Sequence, residues 1–178
     1  MGVFFDIRPH ADPRARGMGL RATLLPALLL ALSLVLAACA SGPRLVDHGF
    51  GFDAVADSPG VQVLDYRYGQ SHAPGARMPQ WARDDAGVAG GTHTRGPMPV
   101  GDSLYVRWRI RATGEVLEDT VDLRGRLPSD MAGREIYFVV DQRQLQVYLV
   151  GTRARGAGDA GIGPAKFRLR EIERIYPP

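Results

Sequence analysis

From residue 104 to residue 111 apolar and polar side chains alternate without a break. Leu104, Val106, Trp108 and Ile110 take one set of positions; Tyr105, Arg107, Arg109 and Arg111 take the other. A period of two puts the first set on one face of a strand and the second on the opposite face. Thr113-Gly114 offers a two-residue turn, after which Leu117, Val121 and Leu123 resume the apolar face. That turn predicts Ile110 opposite Leu117, Val106 opposite Val121 and Leu104 opposite Leu123, with Asp119 a misfit against Trp108. On the wet face it sets Arg109 beside Glu118 and Tyr105 beside Asp122. A three-residue loop would turn Glu118, Thr120 and Asp122 toward the core and is rejected.

The same rhythm recurs elsewhere. Ile136, Phe138 and Val140 alternate, Asp141-Gln142-Arg143 turns, and Leu145, Val147 and Leu149 alternate again, predicting a second hairpin. Val46, His48, Phe50 and Phe52 alternate with Asp47, Gly49 and Gly51, and residues 61–67 form a less regular strand after Pro59-Gly60. Residues 167–176 read as a last strand, with a short helix as the alternative. Pro128-Ser129-Asp130-Met131 suggests one helical turn capped by Ser129. Residues 71–102 break the rhythm with Pro, Gly and polar residues at no period, and read as one long loop. Trp81 within it is expected to pin the loop to the core. Helix is scarce, so the expected fold is mostly β: a small antiparallel β-sandwich or open barrel over residues 45–178.

Upstream, the pattern changes. Residues 24–38 (LLPALLLALSLVLAA) form one apolar run. As a helix it would reach roughly 22 Å, short of the ~30 Å hydrocarbon core, so a signal-peptide core is the better reading than a membrane span. Leu36, Ala37, Ala38 and Cys39 then form a lipobox: an aliphatic residue, two small residues that let a peptidase approach the backbone, and a thiol to receive diacylglycerol. Cys39 is the only cysteine of the chain, so no internal disulfide competes for it. Residues 1–38 are therefore expected to be removed and residues 39–44 to form a lipidated tether. Ala40, rather than an aspartate, follows the cysteine, which favours the inner leaflet of the outer membrane, facing the periplasm. Residues 1–17 lack the character of a signal-peptide start, whereas Met18-Gly19-Leu20-Arg21 has it; translation is expected to begin at Met18.

Charge narrows the partners. The chain carries a net +3, but residues 1–38 hold four arginines (8, 14, 16 and 21) against Asp6 and Asp12. The processed part is thus near +1, and no nucleic-acid surface is indicated. The Arg107, Arg109 and Arg111 row could grip an anionic partner, although pairing with Glu115 and Glu118 on a solvated face explains it more simply. Residues 156–163 contain a literal G-x-G-x-x-G, but Pro164 follows where a dinucleotide site needs a helix, so a loop is expected. His48, His72 and His93 lack ligand spacing, even with Asp84 and Asp85 nearby, and no metal or other cofactor is expected. Ser58, Ser71, Ser103 and Ser129 have no nucleophile-elbow setting, and Glu118 and Asp119 would point to opposite faces of a strand. No catalytic residue emerges.

The run PVGDSLYVRW at residues 99–108, followed by Val121-Asp122-Leu123, resembles uncharacterised proteobacterial lipoproteins with a domain of unknown function. The likeness covers residues 97–150 and carries no site residues over. Some such lipoproteins accompany secretion-system effector genes and are suspected to neutralise toxins in the periplasm. The resemblance implies protein binding, and the expected function is a membrane-anchored periplasmic interaction module, of immunity or envelope-accessory type. Its surface would be Trp81, Tyr105, Arg107, Arg109 and Arg111, and its partner another envelope or secreted protein. The alternative is a small-ligand or glycan-binding domain that stacks sugars on Trp81 and the tyrosines; a hydrolase comes last.

Overall fold

The computed structural model describes residues 43–83, 87–88, 90–156 and 163–178. The signal-peptide and lipobox residues, Asp84 and Asp85, and most of the glycine-rich segment lie outside the described residues. Eight strands make two sheets. These are β1 (Leu45–Asp53), β2 (Val61–Tyr68), β3 (Gly91–Pro99), β4 (Ser103–Ile110), β5 (Val116–Asp122), β6 (Glu135–Asp141), β7 (Gln144–Ala154) and β8 (Arg170–Tyr176). A short helix, α1 (Gln80–Arg83), precedes β3, and a 3-10 turn (Ala165–Phe167) precedes β8. The larger sheet runs β3-β1-β6-β7-β8 and the smaller β2-β4-β5. The fold is thus a small sandwich and not a closed barrel. Every strand pair is antiparallel except β1 with β6, which is parallel.

Between the sheets lies one core. Phe50 and Phe52 of β1, Phe138 of β6 and Val147 of β7 meet Tyr66, Val106, Trp108 and Val121 of the smaller sheet. Phe50 stacks on Tyr68 at 4.8 Å between ring centroids, and Phe52 on Phe138 at 4.5 Å. The Trp108 indole donates to the carbonyl of Gln142 at 2.8 Å, satisfying the one polar atom of that buried ring. His48 is buried with them. Its Nδ1 lies 2.8 Å from the Val46 carbonyl and its Nε2 3.0 Å from the Tyr68 hydroxyl, so Nδ1 donates and Nε2 accepts. Burial holds this imidazole below its usual pKa, in the neutral form that the pairing requires.

The irregularity of β2 has a physical cause. Leu64 forms a bulge between Val63 and Asp65, so Val63 pairs with Trp108 while Asp65 pairs with Arg107. Without that extra residue, Tyr66 and Tyr68 would follow Gln62 to the outside. The bulge returns both rings to the core.

Several expectations are corrected. Residues 71–102 are not one loop, because α1 and the nine-residue strand β3 lie inside them. β3 pairs along the whole of β1 as an edge strand, where Pro97 and Pro99 can leave their missing N–H groups on the open side. The β4–β5 register is shifted by two residues: Trp108 faces Leu117, Val106 faces Asp119 and Leu104 faces Val121. The loop spans residues 111–114, closed by Gly114 N–H donating to the Ile110 carbonyl at 2.8 Å. A two-residue shift preserves which face is which, so the core assignment survives while the cross-strand pairs change. Asp119 is tolerated on the inner face because the Tyr176 hydroxyl donates to it at 2.8 Å. Residues 128–131 form no helical turn; Asp130, rather than Ser129, accepts a backbone N–H, from Ala132. In the β6–β7 hairpin Asp141 pairs with Gln144, leaving a two-residue turn in place of three, with Gln142 at φ +53°.

Candidate functional site: the open face of the smaller sheet

The outward side chains of β2, β4 and β5 fall into cross-strand rows. Arg77 bridges to Arg67, which pairs with Tyr105, which pairs with Thr120. In the next row Asp65, Arg107 and Glu118 lie side by side, and in the third Gln62, Arg109 and Val116. The Arg67 guanidinium sits 5.4 Å above the Tyr105 ring, and the Tyr105 hydroxyl donates to Glu118 at 2.9 Å. Partial burial, then the Glu118 carboxylate, hold that phenol above its ordinary pKa. Arg109 donates to the Gln62 side chain at 3.3 Å and Arg111 to the Val61 carbonyl at 2.9 Å.

The expected cross-strand pairing of the arginine row with Glu115 and Glu118 holds in part: Arg107 lies directly opposite Glu118. Glu115 pairs with Arg143 at 2.7 Å, and Glu118 accepts from Tyr105. Arg111 belongs to the hairpin loop rather than to the strand row.

A covering segment extends the face beyond β2. Tyr68 N–H donates to Ala76, Met78 N–H to Tyr66 and Val88 N–H to Val63, all between 2.8 and 3.1 Å, so the outer edge of β2 is occupied by its own chain. Within it Ala82, not Trp81, points into the core. On so short a helix the next residue is turned about 100° away, and Trp81 is 70% exposed. The tryptophan is therefore exposed and does not pin the segment to the core. Arg83 reaches back to Asp65 at 3.4 Å. Beside it a cleft of about 460 Å³ is lined by His72, Arg77, Met78, Gln80 and Arg83, among others. Among the described residues, Arg67, Arg77, Arg83, Arg107 and Arg109 thus share this surface with Asp65, Glu118 and Asp122, the last paired with Arg124. The sequence marks Tyr105, Arg107 and Arg109 by alternation. Arg67, Arg77 and Arg83 were not singled out, because the Leu64 bulge and the folding of the covering segment onto β2 bring them there.

The outer face of the larger sheet is built differently. Glu135 is buried, lying across Gly49, where an added Cβ would come within 2.9 Å of its Cγ. Gly51 is as confined: a Cβ there would be 2.7 Å from the Thr92 carbonyl. Oε1 of Glu135 lies 3.0 Å from Nε2 of His93, and Oε2 lies 3.7 Å from Arg95. The His93 contact is an ion-pair distance without hydrogen-bond alignment. Tyr137 donates to Asp57 at 2.7 Å and is packed edge-on by Phe167 at 5.0 Å, with the Lys166 ammonium above it.

Among the described residues no three His, Cys, Asp or Glu side chains converge to hold a metal ion, and no helix is long and apolar enough to cross a membrane. The Ser58 hydroxyl is buried and accepts from the Val140 N–H at 2.8 Å, and Ser71 is buried as well. Tyr66, Tyr68, Tyr137 and Tyr148 are buried, whereas Trp81 is exposed and Tyr105 is half-buried under Arg67. Comparison of the chain with protein-family models, with curated proteins and with solved structures gives no match.

Proposed function

We propose that this chain is a bacterial envelope lipoprotein, lipidated at Cys39 and held at the periplasmic face of the outer membrane, whose sandwich domain binds another protein. The observation that carries the reading is the open face of the smaller sheet. There Tyr105 and the arginines at 67, 77, 107 and 109 lie on adjoining strands and segments, and Trp81 is exposed on α1, whose Arg83 reaches this face. Trp, Tyr and Arg are the residues that dominate protein interfaces, because they bury much area and form directed contacts at small entropic cost. Among the described residues, arginines outnumber carboxylates on this face, which favours a partner that presents acidic groups. An immunity-type or envelope-accessory role fits such a surface.

Mild crosslinking in cells, followed by mass spectrometry of what co-purifies, tests this. One dominant protein at near-equal amount is the expected result; the lipoprotein crosslinked to nothing would contradict it. The anchor is tested separately by Cys39→Ser, which should abolish lipid attachment and fractionation with membranes. Unchanged processing and pelleting would remove the lipobox reading. A second reading, glycan binding, draws on the 460 Å³ cleft close to the exposed Trp81. It requires a saturable tryptophan fluorescence change when candidate glycans are added, and no such change is expected for a protein-binding face.

A further inference from the structure

One end of the sandwich is marked by strand direction. β1 begins there, and β3, running antiparallel to it, ends there. β4 and β6 begin at this end, β5 and β7 finish there, and β8 starts again from it. The β1–β2 connection and the β6–β7 turn lie at the other end. Six large apolar side chains are exposed among the described residues, and three of them sit at the first end. These are Leu45 at the start of β1, Val100 after β3 and Leu169 before β8, at 58%, 36% and 75%. Beside Leu45 opens a pocket of about 320 Å³ whose apolar lining is Pro43, Val46, Pro99, Val100, Pro128 and Met131.

From this arrangement we infer that this end of the domain is a second membrane contact, seated on the lipid surface that holds the Cys39 acyl chains. The inference rests on the anchor reading of Cys39. Chain length then fixes the orientation: Leu45 is six residues from Cys39, within ~20 Å even when the backbone is fully extended. The end of the sandwich that a lipid anchor must hold nearest the bilayer is thus the end that exposes Leu45, Val100 and Leu169. Their side chains enter the boundary between headgroups and acyl chains, while Arg44 stays at the level of the phosphates.

Charge assists this contact. Asp102, Asp122 and Asp130 share the connections at this end with Arg124, Arg126, Arg155 and Arg168; Arg155 is hydrogen-bonded to Leu169 through the backbone, Arg168 precedes it, and Asp122 is already paired with Arg124 at 2.9 Å. The contact is therefore apolar at its centre with arginines around it, and its apolar part persists in high salt. It also stands the strands of the smaller sheet away from the bilayer, leaving the Tyr105 and Arg107 face open from the side.

The test uses the full lipidated protein in phosphatidylethanolamine–phosphatidylglycerol vesicles. Intact mass first establishes acylation of Cys39, after which a newly introduced cysteine is the only free thiol. An environment-sensitive fluorophore is placed at Val100→Cys, or, as control, at Val55→Cys, which is 66% exposed in the β1–β2 connection. Position 100 should shift to the blue and lose several-fold of its quenching by aqueous iodide, and keep most of both changes in high salt; position 55 should do neither. Equal quenching at the two positions in acylated protein overturns the contact alone. An unmodified Cys39 overturns the anchor and this contact together.

Discussion

On the larger sheet, the outward side chains of β6 are covered. Tyr137 lies under Phe167 and Lys166, and Glu135 lies across Gly49 beneath His93 and Arg95. On the smaller sheet, the outward side chains of β4 meet water, and their contacts run sideways to Arg67, Gln62 and Glu118. Both strands read as hairpin strands, yet their sequences differ where it matters. β6 (EIYFVVD) is apolar on both faces through its middle, whereas β4 (SLYVRWRI) alternates strictly. A strand apolar on both faces needs cover from its own chain; one that alternates leaves its polar face for something else. Large polar-aromatic side chains on an uncovered face contribute little to folding, and so are free to serve recognition.

Matched substitutions probe this contrast most strongly. Tyr137→Ala should lower unfolding free energy by about 3–5 kcal/mol, because it removes a buried ring and its bond to Asp57. Tyr105→Ala, at the corresponding outward place on β4, should cost below about 1 kcal/mol. Urea unfolding measures both, and equal losses would erase the distinction. Next in size comes Gly49→Ala, predicted to cost about 1–3 kcal/mol because the new methyl meets Glu135 at 2.9 Å. The same assay reads it, with Glu135→Ala in the Gly49→Ala background expected to recover part of the loss.

Alkaline pH gives a third test. Burial, then the bond to Asp57, hold the Tyr137 phenol well above its ordinary pKa, and burial pushes Tyr68 up to about 12. Above pH 10 the unfolded chain releases these protons while the folded chain keeps them, so stability present below pH 10 is lost as pH rises. The slope is about 1.4 kcal/mol per pH unit for each such group. Tyr137→Phe should flatten the decline between pH 10 and 11, and Tyr105→Phe, whose phenol is raised less, should flatten it less. The smallest effect on stability is expected from joint charge reversal at Arg67, Arg107 and Arg109, within about 0.5 kcal/mol per site. Partner capture should nevertheless be lost, and co-purification from crosslinked cells reads that outcome.

What the sequence disclosed follows from how local each signal is. The inner and outer residues of β4, β6 and β7 were legible because alternation is a property of the strand itself. β3 was not, since its inward positions opposite Phe52, Phe50 and His48 are Thr92, Thr94 and Gly96 rather than apolar residues. The β4–β5 register shifted by two because a four-residue loop serves as well as Thr113-Gly114 and leaves the faces unchanged. Trp81 was misplaced because the neighbouring Ala82 fills the space against the core. Arg67, Arg77 and Arg83 depended on a bulge at Leu64 and on a segment returning to the β2 edge, both set by tertiary packing.

Site-specific photocrosslinking in cells tests the central claim most directly. A photoreactive amino acid is placed at Arg107, on the open face, or at Arg153, an exposed position on the larger sheet. One discrete heavier species is expected from position 107 and none from position 153. Crosslinking at 153 alone, or equally at both positions, would contradict the assignment of the open face as the binding surface.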